Sequence, residues 1–122
     1  MDSTKTIIIA EPADALAPEL HAFLGDTGFK SIRPTTLKET LLTLQSQRAD
    51  VLVLDAVLLE EDYDFISVIK GIEGDLPIII CAETNTPEFE SKIRQQGIFF
   101  YHIKSFGIQD LQMAISNAIN RL

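Results

Sequence analysis

The sequence predicts one α/β domain built on a five-stranded parallel sheet with helices on both faces, a doubly wound (βα)5 three-layer sandwich. Three observations predict it. Apolar runs of strand length alternate five times with segments of helical period. The clearest of these runs are continuously apolar, as strands buried on both faces are. The chain has 122 residues, 46% hydrophobic and 23% charged, which suits one core spanning 1–122 and leaves little room for another.

Thr6 to Ala10 opens the series as a run rich in β-branched residues. Leu16, Leu20, Phe23 and Leu24 then share a helical face, with Gly25 and Gly28 bracketing its end. Pro18 is tolerated only in a first turn, so this helix either starts late, near Ala17, or opens on a distorted turn. Phe29 to Arg33 reads as a weak second strand. Thr36 and Glu39 read as a capping box for a helix through Leu37, Leu41, Leu42 and Leu44. Val51 to Leu54 is a buried strand ending at Asp55, and Ile66, Ile69 and Ile72 mark a helix closed by Gly74. Leu76 to Ala82 is the fourth strand. Thr86-Pro87 caps and opens a helix carrying Phe89 and Ile93, which Gly97 stops. Ile98 to Ile103 is the fifth strand, and Leu111, Ile115, Ala118 and Ile119 form the last helical face. Right-handed crossovers between parallel strands favour a doubly wound order.

Composition narrows the function classes. The formal net charge is −8 and the ten Lys and Arg are scattered, so a nucleic-acid backbone would be repelled and the expected partners are proteins. The apolar run Leu76 to Ala82 is far short of the ~20 residues a membrane helix needs, and no signal peptide is evident. The single cysteine, Cys81, forms no internal disulfide and fits a cytoplasmic setting; in its apolar strand it reads as an inert buried thiol.

Ligand chemistry in such sheets gathers at the carboxyl ends of the strands. The residues there are Glu11, Pro12, Asp55, Ala82 and Lys104. Asp55 alone could be a helix cap and Lys104 alone a surface lysine. Together they would face one crevice. A carboxylate that attacks a phosphoryl donor needs a nearby cation to offset the new charge, and Lys104 supplies one.

Over essentially its whole length the chain resembles the receiver domain of two-component response regulators. The resemblance rests on Val51-Leu52-Val53-Leu54-Asp55, on Leu76-Pro77-Ile78-Ile79-Ile80, on Tyr101-His102-Ile103-Lys104-Ser105-Phe106, and on the spacing from Ala82 to Lys104. It implies a flavodoxin-like fold. It also implies that Asp55 accepts a phosphoryl group from a sensor histidine kinase or phosphotransfer protein, assisted by Mg²⁺. Lys104 would contact the phosphoryl group, and Ala82 and Tyr101 would occupy the switch positions. The implied metal ligands are Glu11, Asp55 and the backbone carbonyl of Val57. Output would pass through the fourth helix, fifth strand and fifth helix (Lys92, Arg94, Tyr101, Gln109, Gln112) to a downstream protein or a second copy, not through enzymatic turnover. No output domain follows Leu122, so the chain reads as a stand-alone receiver or a segment of a larger regulator.

Departures from the family pattern are equally specific. The two acids that usually end the first strand are replaced by Glu11-Pro12, or by Ala10-Glu11 if the alignment shifts by one residue. Either way one carboxylate is missing, which weakens a Mg²⁺ site. Asp14 reads as a helix cap. Ala82 replaces a Ser or Thr whose hydrogen bond to a charged group is worth about 1.5–3 kcal/mol, so the switching bias would fall roughly 10- to 100-fold. Ser105 replaces a proline, making a trans bond the expectation. The segment Asp55 to Asp64 lacks the family's proline and glycine and reads about two residues longer.

Pro12, Ala82 and Ser105 together support an alternative, a phosphorylation-independent docking module. A small α/β enzyme or flavin carrier would need a Gly-rich phosphate cradle, whereas Glu11-Pro12-Ala13-Asp14 repels phosphate. His21 reads as a surface residue and His102 as a packing or interface residue, with no nucleophile set to make a triad. Half of Phe99, Phe100, Tyr101 and Phe106 read as core, the rest as a patch for a partner.

Overall fold

The computed structural model describes residues 4–12, 18–60, 62–83 and 86–120. The elements run β1 (Thr6–Ala10), α1 (Pro18–Thr27), β2 (Lys30–Ile32), α2 (Leu37–Ser46), β3 (Val51–Asp55), α3 (Phe65–Ile72), β4 (Ile78–Ala82), α4 (Pro87–Arg94), β5 (Phe100–Ile103) and α5 (Gln109–Asn120). Short 3-10 turns follow β3 (Ala56–Leu59) and β5 (Lys104–Phe106). All strand pairings are parallel, in the order β2-β1-β3-β4-β5. The chain winds outward from β1 to β2, then returns to the other side of β1 as β3. The switch point therefore lies between β1 and β3, where a crevice opens at the strands' carboxyl ends.

Side-chain alternation sorts each central strand onto two cores. Ile8, Leu52, Leu54, Ile78 and Ile80 pack with Leu44, Ile66, Ile69 and Ile93 from α2, α3 and α4. Ile7, Ile9, Val51, Val53, Ile79 and Cys81 pack with Leu20 and Leu24 of α1 and Leu111 and Ile115 of α5. Two apolar sets on one strand are why these segments read as unbroken apolar runs. His102 follows the same rule. It is buried on the α5 side, its Nδ1 2.9 Å from Asp110 Oδ1, which ties β5 to the first turn of α5.

Several boundaries differ from the sequence reading. The first helix is described from Pro18 and runs through Gly25 to Thr27, so its start lies outside the described residues; Gly28, at φ +76°, alone ends it. Leu16 and Asp14 lie outside the described residues. The Thr36 cap forms, its hydroxyl accepting from Glu39 N at 3.1 Å. The return arm goes one residue further back, because the Glu39 carboxylate accepts from Thr35 N and Oγ1 at 2.9 and 3.0 Å. Those bonds, the Thr35 N–H first, hold the Glu39 carboxyl below its usual range. Leu42 is 54% exposed, being one residue past Leu41 and so turned about 100° from the packed face. Helix α3 ends at Ile72 without using Gly74. Pro77 has no N–H to give a ladder, so β4 begins after it, although Pro77 O accepts from Leu52 N. Ile98 and Phe99 likewise precede β5. Among the described residues no helix is long and apolar enough to cross a membrane.

Ile80→Ala is expected to cost ~2–5 kcal/mol in denaturant unfolding, because a fully buried central-strand side chain leaves a cavity. Leu42→Ala should stay within ~0.5 kcal/mol.

Candidate functional site

Register brings the chemistry together. Ala10 pairs with Leu54, so Glu11 and Asp55 leave neighbouring strands side by side. Asp55 pairs with Cys81 and Ala82 with Ile103, so Lys104 emerges beyond Ala82. The Asp55 side chain is 2% exposed. Lys104 Nζ donates to its Oδ2 at 2.6 Å, and Val57 N donates to Oδ1 at 3.0 Å. A buried carboxylate is tolerated because each oxygen receives a donor and one donor is a cation. Glu83 Oε1, on an exposed side chain, lies 3.8 Å from the same ammonium. Ser105 sits in the 3-10 turn after Lys104 and its peptide bond is trans, as its residue type requires.

Beside this pair opens a cavity of about 400 Å³, lined by Asp55, Val57, Tyr63, Ala82, Glu83 and Phe89 among others. Ala82 presents a methyl group where a hydroxyl would have served as donor. Tyr63 and Phe89, which sequence reasoning did not single out as a pair, meet edge to face at 4.9 Å and form the apolar wall. Their separation of 26 positions across two loops carries no local signal. Phe89 also touches Tyr101, with ring centroids 6.2 Å apart, and the Arg94 guanidinium lies 5.7 Å above the Tyr101 ring. Tyr101 is already turned inward, at 5% exposure, and among the described residues its hydroxyl has no hydrogen-bond partner. Burial pushes this phenol up to about 12. The Cys81 thiol is pushed well above its ordinary range by burial and by Asp55, in keeping with an inert cysteine.

Glu11 is the second buried acid, at 2% exposure. Its backbone N–H donates to Pro34 O at 3.2 Å, which holds the start of the β2–α2 connection against the end of β1. Arg33 Nη2 comes within 3.5 Å of Glu11 Oε1, and His21 Nε2 within 3.7 Å. His21 is therefore not the plain surface residue its position suggested; α1 packing turns it toward Glu11. The residues present do not fit the Mg²⁺ that the resemblance implies. Glu11 faces Arg33 and His21. Asp55 has both oxygens engaged, and the Val57 carbonyl accepts from Glu60 N at 3.3 Å. Pro12 has no carboxylate, and among the described residues no three acidic, His or Cys side chains converge to hold a metal.

No family model matches the chain. It is 28% identical over 118 residues to the DNA-binding transcriptional regulator NtrC of Bradyrhizobium sp. (strain RP501 Parasponia), covering 93% of this chain and 24% of that protein. The chain thus spans about a quarter of the curated relative it matches. It superposes with a TM-score of 0.84 on a CheY-like response regulator receiver domain protein from Methanospirillum hungatei JF-1, at 18% identity over 97% of this chain and 95% of that one. It superposes at 0.79 on the receiver domain of a sensor histidine kinase from Pseudomonas aeruginosa PAO1, at 20% identity, covering 96% and 98% of the two chains. In that structure a magnesium ion is coordinated in the active site cleft. The chain has the flavodoxin-like fold of response-regulator receiver domains.

Two predictions follow from this geometry. Tyr101→Phe removes a buried hydroxyl without a partner and is expected to leave stability unchanged or raise it by up to ~1 kcal/mol in urea unfolding. In alkaline titration the Tyr101 phenolate should emerge near pH 12. Its folded value is raised above the ordinary 10, so the stability it contributes is intact below pH 10 and lost as pH rises through 12.

Proposed function

We propose that this chain is the receiver unit of a two-component response regulator, in which Asp55 accepts a phosphoryl group from a histidine kinase or phosphotransfer protein. One observation carries the reading: a buried carboxylate paired at 2.6 Å with a partly buried ammonium, at the end of a central strand and on the wall of a cavity. A merely structural ion pair would need no such opening.

The chemistry follows from the two donors. Val57 N holds one oxygen of Asp55 and so fixes the carboxylate plane. A carboxylate oxygen attacks phosphorus, an Oδ–P bond forms, and the bond from phosphorus to the donor's nitrogen breaks with its electron pair. The aspartyl phosphate carries more negative charge than the free carboxylate. Lys104 has a flexible stem and three donors, so its ammonium can pass from the carboxylate to a phosphoryl oxygen and offset that charge.

Ala82 has no hydroxyl to be drawn toward the phosphoryl group, and Tyr101 is inward without it. The response is therefore assigned to the Lys104–Phe106 turn, which carries Phe106 at 74% exposure as a contact for a protein partner. Signalling by protein contact in the cytoplasm, by a monomer or a dimer, completes this reading; turnover of a small molecule forms no part of it.

Beryllofluoride, a mimic of the aspartyl phosphoryl group, tests the proposal when added with millimolar Mg²⁺ and followed by amide chemical shifts. Shifts at Asp55, Ala82, Lys104 and Phe106 are expected, with little change at Tyr101, and all should vanish in Asp55→Asn. A folded spectrum that does not respond would overturn the proposal and leave a constitutive docking module.

A further inference from the structure

We infer that Arg33 takes the place of the divalent cation in this pocket, so that Asp55 is phosphorylated without a metal. The inference rests on the reading of Asp55 as phosphoacceptor. It starts from the disagreement between the pocket's donors and the metal its fold relatives suggest. A divalent ion needs several oxygen ligands, carboxylates among them, that face one point. Here the strand end that would provide them carries Pro12, and its remaining acid, Glu11, has the Arg33 guanidinium at 3.5 Å and the His21 ring at 3.7 Å. A Mg²⁺ ion bound there would have to displace a guanidinium or sit beside it.

Arg33 is also placed to act. The Glu11 N–H to Pro34 O bond pins the connection immediately after Arg33 to the end of β1. By register Glu11 lies one strand from Asp55, and adjacent strands are ~4.8 Å apart. The guanidinium is 44% exposed, with a long stem and five planar donors, the geometry that recognises phosphoryl oxygens in pairs. Asp55, Glu11 and Glu83 contribute three carboxylates, against the two cations Lys104 and Arg33. An incoming phosphoryl group then meets a cation from β5 on one flank and a cation from the end of β2 on the other. Glu11 acts on the reaction only through Arg33, which it holds in place, and is a positioning residue.

The test uses the intact chain and acetyl phosphate, whose acetate leaves with the electron pair as the Asp55 Oδ–P bond forms. Labelling is read by intact mass, in EDTA and in millimolar Mg²⁺, with Asp55→Asn as the blank. Amide shifts are followed separately in a Mg²⁺ titration. The expected results are equal labelling with and without metal, and no Mg²⁺-dependent shifts at Glu11, Asp55 or Val57. Arg33→Gln should slow labelling in EDTA at least about tenfold, while Arg33→Lys keeps most of it. Because Arg33→Gln removes one cation from the Glu11 carboxylate, its residual labelling should also become responsive to Mg²⁺. A residue that only balanced Glu11 would change stability without moving the metal dependence, and that result would overturn the inference. Wild-type labelling that requires Mg²⁺ would overturn it too, while leaving Asp55 as the acceptor. Absence of labelling under every condition, in a folded chain, would overturn both.

Discussion

Lys104 lies 49 residues beyond Asp55, yet its ammonium is the counter-charge to a carboxylate that is only 2% exposed. Taking a carboxylate out of water costs several kcal/mol unless a cation and further donors compensate. The pair therefore constrains much around it. Strand β5 must end beside β4, the turn after it must bend back across the sheet, and β3 must deliver Asp55 with Val57 N in reach. The parallel order β2-β1-β3-β4-β5 satisfies all three.

A second group of charges lies at the sheet's end. Glu11 is as buried as Asp55, and its companions come from α1 and from the end of β2 rather than from a strand opposite. Two buried acids in adjacent strands would repel strongly in a medium poorer in water than bulk solvent. Each here has its own cation.

Much of the fold was readable along the chain. Continuous apolar runs identified β1, β3 and β4, and Thr86-Pro87 opened α4 where expected, although the helix ends at Arg94, before Gly97. The reading was weakest where local chemistry serves two purposes. Gly25 looked like a terminator but lies inside α1, because an exposed glycine costs a helix only about 1 kcal/mol when a packed face holds it. Glu39 looked like half of a capping box, yet its carboxylate reached Thr35, whose hydroxyl offered it a second donor.

The site divides along the same line. Asp55 and Lys104 stood out because each ends an apolar strand, and strand ends are set by composition and period alone. The absences were equally plain, since a proline, an alanine and a serine cannot supply a carboxylate, a hydroxyl or a favoured cis bond wherever they fall. Tertiary packing alone decided which charges meet. Arg33 and His21 on Glu11, and Tyr63 against Phe89, join segments whose spacing has no local meaning. Tyr101 was visible as an aromatic in a strand, but its neighbours in the folded chain, Phe89 and Arg94, come from another element. Period and composition act over a few residues; contacts across strands and loops depend on where the whole chain has been carried.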